Sequence, residues 1–392
     1  MKIPYANPNL GIPDFIRALF ISDATANKEI KTYFSNLTGK KHILITNSCR
    51  SALFLAYTAI EAKGEVITTP LTCKVAIDAI VESGNTAIFA DINLCDLNIQ
   101  PGDIEHRVND KTIAIQAIHL GGVSCDMLQI LSIARKNKLL VIEDCAQSLG
   151  AVSKGKLTGS FGDVACFSLI KNAYGIGGGI LATDDYEIFQ RAESINNTLD
   201  KTSLPLVLFR VARNLLDTKR KYRFVFPIYR LVMSLRGGRQ SYKSVHGQLC
   251  RVSSIEKKIA AHQINRLDEL HEKRKKTGKK YCELLIKHRL MLNHRFDVNG
   301  SSFTKLFVYH PAINSRKHLK VLGDQGIEAM HLEQKYGSPF QERLVPTGIN
   351  VQSSLQNYHK AHDCLVSLPL FETMPEKHLK WVVNTINLTI KT

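Results

Sequence analysis

Residues 139–183 read LLVIEDCAQSLGAVSKGKLTGSFGDVACFSLIKNAYGIGGGILAT. LLVIED (139–144) reads as a buried strand that closes on an acid, Asp144. DVACFSL (163–169) reads as a second strand, with the hydroxyl of Ser168 at its end. Lys171 follows, then a loop holding Gly175, Gly177, Gly178 and Gly179, then GGILAT (178–183) as a third strand. Strands apolar on both faces belong in a parallel sheet covered by helices. In such sheets ligands bind beyond the carboxyl ends of the strands, which is where Asp144, Ser168 and Lys171 fall.

The alternation continues upstream. HILIT (42–46), EVITT (65–69), TAIFADI (86–92) and TIAIQAIHL (112–120) read as strands, and SALFLAYTAI (51–60), VAIDAIVESG (75–84) and MLQILSIARKNK (127–138) as helices between them. This predicts an α/β fold with a mostly parallel sheet covered by helices. Downstream, 255–286 reads as one long helix, FTKLFVYHP (303–311) as a strand, and 317–327 and 378–390 as helices. Two domains are predicted: 1–250, large and α/β, and 251–392, smaller and α+β.

The chain has 392 residues, 44% of them hydrophobic, enough for that arrangement. No apolar run approaches the roughly 18 residues of a membrane-spanning helix, and the opening MKIPYANPNLG lacks a signal-peptide core. Nine cysteines without paired spacing predict a reduced, cytoplasmic protein with neither disulfide framework nor zinc site.

An acid, an amide (Gln147), a hydroxyl and a lysine within 28 residues suit one cofactor, pyridoxal phosphate. It needs a lysine for a Schiff base, a carboxylate to keep the ring nitrogen protonated, and hydroxyls and backbone N–H groups for its phosphate. Glycines let the backbone approach closely. Asp144 is also open to a plainer reading as a helix N-cap, and Glu143, its neighbour, points the other way as a structural residue. His119 reads first as a packed strand histidine, and Tyr174 serves packing or substrate equally. GIGGG does not have the spacing of a nucleotide-binding fingerprint and precedes a strand rather than a helix.

At this point the sequence resembles the sugar aminotransferases of the DegT/DnrJ/EryC1/StrS type, within the fold type I pyridoxal phosphate enzymes. TNSCRSALFLA (46–56), the block from Ile67 to Glu105, the segments 119–151 and 159–185, IEKKIAAHQINRLDELHEKRKKTGKKY (255–281) and VSLPLF (366–371) carry the resemblance in order. It implies that Lys171 is the Schiff-base lysine, Asp144 the partner of the pyridine nitrogen, Gln147 the amide near the phenolic oxygen and Ser168 a phosphate contact. It places Ser48, Cys49 and Arg50 in the phosphate cradle and Cys73 near the cofactor ring. Arg251 falls on an arginine reached from a partner subunit, which implies a homodimer with shared active sites. The implied reaction moves an amino group from an amino acid, often glutamate, to a keto-sugar, usually nucleotide-linked, in surface polysaccharide, lipopolysaccharide or glycoside biosynthesis. Two rivals are a sugar dehydratase, in which histidine replaces the lysine, and a non-catalytic, membrane-associated relative.

Several positions depart from the family pattern. Cys49 and Arg50 replace glycine and threonine, Cys73 replaces an aromatic, Leu249 replaces an asparagine, and the loop AMHLEQKYGSPF (329–340) lacks a tyrosine after its histidine. Between 201 and 244 stand eleven basic side chains and one acid, Asp217, a net +10 of the chain's +17. Within it, 204–238 is an apolar insert divided by Pro227. Leu204, Leu208, Val211 and Leu215 form one expected face, and Phe224, Ile228, Leu231 and Leu235 another. This predicts either a packing element near the dimer interface or a helix pair lying on an anionic membrane. No recognition motif for nucleic acid accompanies the charge.

Overall fold

The computed structural model describes residues 2–6, 10–173, 175–219, 245, 248–291, 293, 296–331 and 355–391. Its strands are β1 (His42–Thr46), β2 (Glu65–Thr68), β3 (Thr86–Phe89), β4 (Thr112–Ile118), β5 (Leu140–Cys145), β6 (Val152–Ser153), β7 (Lys156–Leu157), β8 (Val164–Ser168), β9 (Gly179–Thr183), β10 (Leu306–Tyr309) and β11 (Leu365–Leu368). The helices through the first half are α1 (Ile12–Leu19), α2 (Asp23–Thr38), α3 (Cys49–Ala59), α4 (Lys74–Glu82), α5 (Pro101–Arg107), α6 (Met127–Asn137) and α7 (Tyr186–Thr198). They continue with α8 (Leu204–Lys219), α9 (Ser254–Ile264), α10 (Leu267–Lys287), α11 (Ser315–Asp324), α12 (Gln356–His362) and α13 (Glu376–Lys391).

Seven strands form one sheet in the order β1-β9-β8-β5-β4-β2-β3. Pairs β2–β3, β2–β4, β4–β5 and β5–β8 are parallel, and β9 runs antiparallel to both β1 and β8. Every residue of β8 and β9 is buried, as expected of strands covered on both faces. Helix α3 is buried at nine of its eleven positions, so it lies inside the covering layer rather than on it. The parallel register places Asp144 beside Cys166, which brings the ends of β5 and β8 to one edge.

A second core surrounds the β10–β11 ribbon and α13 and includes Tyr281, Leu285 and Ile3. Val252, Ala260, Ala261, Ile264 and Leu267 pack instead with β1, β8 and β9. We propose that the two units divide within α10, where the side chains pass from one core to the other, with the 250/251 line a sequence boundary only.

The segment expected as one helix over 255–286 is two. Arg266 breaks it at φ −114°, ψ 0°. Its Nη1 and the Nε2 of His262 both bind Asp14 Oδ1 of α1, at 2.9 and 3.0 Å. The apolar period runs on through the break, so periodicity alone does not reveal it. The insert also differs from its expected face. Helix α8 buries Val207 and packs Val211 of the expected face against the same core, while Leu204 and Leu208 are 58% and 55% exposed. The partners Leu10, Ala18, Ile176 and Ile259 select that face. Pro227 and the second expected face lie outside the described residues.

Gly150, at φ +81°, lies against the His271 ring, where a Cβ would stand 2.4 Å from Nδ1. Burial, with the charges of Arg274 and Lys275, pushes His271 down to about 3. The folded state keeps it neutral, whereas the unfolded chain protonates it near pH 6.5. The stability it supports is complete above that pH and is lost as pH falls toward 3. In His271→Gln, the drop in melting temperature between about pH 7 and pH 5 should shrink by roughly 3 °C. Thermal melts across that range check it, and an unchanged drop refutes it.

Candidate active site

The site starts from β5, whose last residues alternate in direction. Glu143 points to one face. Its Oε1 accepts the N–H groups of Phe161 and Gly162 at 2.8 and 2.7 Å. Its Oε2 accepts the Gly159 N–H at 2.8 Å and faces His119 Nε2 at 3.0 Å. His119 Nδ1 accepts the Cys125 N–H at 3.1 Å, so the ring proton lies on Nε2 and is donated to Glu143. Burial raises the Glu143 carboxyl, but His119 and the backbone donors outweigh it and hold it below its usual value. Cys145 stands near this pair. The bonds already occupy the lone pairs that a cation would need. His119 is fully buried, so here it is part of the frame.

Asp144 points the other way, 5% exposed. Its Oδ1 accepts the Ala146 N–H at 2.9 Å and lies 3.9 Å from Cys49 Sγ. Burial pushes this carboxyl above its usual value, against the opposing charge of Lys171. The Cys49 thiol is held well up, first by burial and then by Asp144, so it stays protonated and chemically quiet. The structure thus brings Asp144, Cys49 and Lys171 within one another's field.

The chain around Lys171 is pinned on both sides. The Gly175 N–H donates to Leu169 O at 2.6 Å, and the Leu169 N–H to Gly178 O at 3.1 Å. Asn172 Nδ2 donates to Leu149 O at 3.0 Å, and Thr304 Oγ1 donates to Asn172 Oδ1. The Gly178 N–H donates to Asn47 O at 2.9 Å. A Cβ on Gly179 would stand 2.2 Å from the Ser48 carbonyl carbon and 2.4 Å from Cys49 N. Only glycine fits at position 179.

The segment expected to cradle a phosphate is the turn from β1 into α3. Ser48 caps α3, its Oγ accepting the Ser51 N–H at 3.2 Å. The first turn of a helix presents free N–H groups to an anion. Arg50 reaches Gln248, and Asn47 Nδ2 donates to Gln248 O at 3.0 Å. Arg251 is held through its backbone to Asp200 O and Thr202 N. Gln147 Oε1 accepts the Gly121 N–H at 3.2 Å. Ser168 ends β8 opposite Gly179. Cys73 begins α4 at the end of β2. Tyr174 and residues 332–340 lie outside the described residues.

Sequence reading passed over Asn47, Asn172, Arg210 and Glu256. Only Glu256 carried a signal, the Ser-x-x-Glu capping pattern from Ser253. The residues fit pyridoxal phosphate on the structure's own terms. Asp144 is a buried carboxylate whose pKa is raised, a site that a cationic ring N–H would relieve. Gly178 and Gly179 pack directly against the turn that starts α3.

The family model for the DegT/DnrJ/EryC1/StrS aminotransferases matches residues 14–387. The spore coat polysaccharide biosynthesis protein SpsC of Bacillus subtilis is 37% identical over 199 residues, 47% of this chain and 50% of that protein. The chain thus spans about half the length of that relative. The dTDP-3-amino-3,6-dideoxy-alpha-D-galactopyranose transaminase of Aneurinibacillus thermoaerophilus is 27% identical over 367 residues, 90% of this chain and 87% of that protein. Among solved structures, the Helicobacter pylori aminotransferase PseC superposes with a TM-score of 0.77 at 20% identity, covering all of both chains. The architecture is that of the fold type I aminotransferases, as the resemblance implied. The chain belongs to the DegT/DnrJ/EryC1/StrS aminotransferase family.

Proposed function

We propose that this protein is a pyridoxal phosphate-dependent aminotransferase that moves an amino group from an amino acid, glutamate by preference, to a nucleotide-linked keto-sugar. The observation that carries the reading is Lys171 and buried Asp144 at one sheet edge, beside the N-terminus of α3. Lys171 would hold the cofactor, Asp144 its ring nitrogen, and Ser48, Ser168 and the α3 amides its phosphate. Gln147, fixed against Gly121, would orient the ring's oxygen side. When bound, the cofactor supplies the electron sink for cleavage of the bond to the donor's Cα proton.

The chain's own residues do the rest. Lys171 Nζ would take the proton from the donor's Cα and later return one to the aminated sugar carbon. Its tether keeps that amine close to the reacting atoms. Asp144 keeps a negative charge in a dry site, where it acts strongly on a cation. Arg50, paired with Gln248, stands at the cradle as a fixed positive charge. Retention of lysine at 171 favours amination over the dehydratase outcome.

Supporting partners follow from the surface. A homodimer in which Arg251 serves the partner's site suits the exposed Ile170 beside Lys171. All nine cysteines are free, which suits a reducing cytoplasm. Among the described residues no helix is long and apolar enough to cross a membrane. Helix α1 nevertheless exposes Ile12, Ile16 and Leu19, and Phe20, which caps its end, is 87% exposed. With Leu204 and Leu208 and the net +10 of 201–244, this supports peripheral docking on an anionic lipid surface.

Three outcomes are expected. Borohydride reduction of the cofactor-loaded protein, followed by peptide mapping, should label Lys171, and Lys171→Ala should lose nearly all turnover; labelling of another lysine refutes the reading. Asp144→Asn should bind the cofactor more weakly and slow transamination of keto-sugar nucleotides by orders of magnitude. Because burial raises the folded carboxyl, its charged form costs stability above the unfolded pKa. Cofactor-free Asp144→Asn should therefore melt at or above the wild-type temperature at neutral pH, and a lower one counts against the buried-charge account. In flotation with anionic liposomes at low salt, the protein should rise with the vesicles. Replacing Arg213, Lys219, Arg220, Lys221 and Arg223 by glutamine should reduce that fraction, and a wild type that stays at the bottom rules membrane docking out.

A further inference from the structure

One arginine of the basic segment points inward. Arg210 of α8 pairs with Glu256, whose side chain is fully buried in the first turn of α9. Glu256 Oε2 accepts the Ser253 N–H and Oγ–H, both at 2.9 Å, which leaves Oε1 for Arg210. The pair lies directly on Gly177. A Cβ there would stand 2.0 Å from Glu256 Oε1 and 2.9 Å from Arg210 Nη1. Its neighbour Ile176 is buried with Val207 of α8 and Ile259 of α9. On the other side, Gly178 and Gly179 lie against Asn47, Ser48 and Cys49 of the cradle. The loop that follows Lys171 is therefore held between the cradle turn and an ion pair contributed by the insert.

We propose that Arg210 is a positioning residue, the insert's hold on the loop that aims Lys171. Glycine-rich backbone has much conformational freedom to lose, so contacts from outside the loop must fix it. Cutting a buried pair on one side leaves a charge without compensation and is strongly unfavourable. Without Arg210, Glu256 gains relief only by admitting water, and Gly177 is the backbone it would displace. The geometry thus couples α8 to the site through one side chain. The proposal rests on the reading of Lys171 as the cofactor-binding residue.

The test reads the loop directly. In cofactor-free protein, amide exchange of residues 175–180 should be about tenfold faster in Arg210→Ala than in wild type, as local opening becomes easier. Arg210→Lys should restore most of the protection. Leu208→Ala, on the exposed side of the same helix, should leave it unchanged. In cofactor-loaded protein, Arg210→Ala should weaken the visible circular dichroism of the bound cofactor, and Arg210→Lys should recover it. If Arg210→Ala does not fold, Glu256→Gln carries the test, because it is isosteric and removes only the charge. Exchange at the wild-type rate in these variants overturns the proposal, as does equal acceleration in Leu208→Ala, which would make α8 a packing slab. Failure of borohydride to label Lys171 would sink the reading of that lysine, an outcome on which the exchange rates do not depend.

Discussion

The Glu143 carboxylate, fully buried, binds three backbone N–H groups and one imidazole. The turn 159–162 and the end of β4 are both fastened to β5 by this one group. Register follows from it. With 159–162 fixed, β8 must leave the turn alongside β5, and Ser168 and Lys171 reach the edge where Asp144 stands. A buried acid this well satisfied is stable as a charge, so the two neighbouring carboxylates have opposite characters. Glu143 is held low by its donors and builds the frame. Asp144 is raised by burial, which outweighs the Lys171 charge and its Ala146 and Cys49 contacts. Alternation along one strand makes that division, because consecutive side chains face opposite sides.

The glycines express a second constraint. Gly178 takes φ +105° and Gly179 has backbone atoms of Ser48 and Cys49 where a Cβ would go. Gly177 has no positive φ; the atoms nearest to where its Cβ would stand are those of the Arg210–Glu256 pair. The same short run thus uses glycine for two reasons, conformation at one position and close approach at the others. That close approach joins two segments about 130 residues apart in sequence, as the Ser48–Gly178 bridge shows. The cradle and the lysine loop form one unit, and a distortion of either would be felt in both.

Local rules reveal what local forces decide. β1 occupies the residues read as HILIT, and β5 and β8 differ from the reading by one residue at each end. Buried strands carry their apolar, β-branched signature wherever they fall, and their order placed Asp144 and Lys171 at one edge. The break at Arg266 was not legible, because its cause is Asp14, some 250 residues away. Nor was the inward face of α8. Leu204 and Leu208 look as apolar as Val207, and only the positions of Leu10, Ile176 and Ile259 select among them. Glu256 was visible as a helix cap, but the burial that makes it a binding site for Arg210 depends on three segments meeting. Pairwise contacts between distant segments leave no period in a sequence.

The insert is where these two kinds of information meet. Its composition, apolar with a large positive excess, says that much of it faces an interface or solvent. Its packing says that Val207 and Arg210 face inward. Both hold, because a helix has room for two faces at 3.6 residues per turn. Arg210 is three residues from Val207 and two from Leu208, so it shares the inner face with the first and not with the second. The outer face is free to vary with whatever the protein meets, while the inner one is held by a fully buried acid. A change in the seat of α8 would reach Gly177 before it reached any other part of the sheet edge. The helix that opens the basic segment is thus also the one that closes over the loop of Lys171.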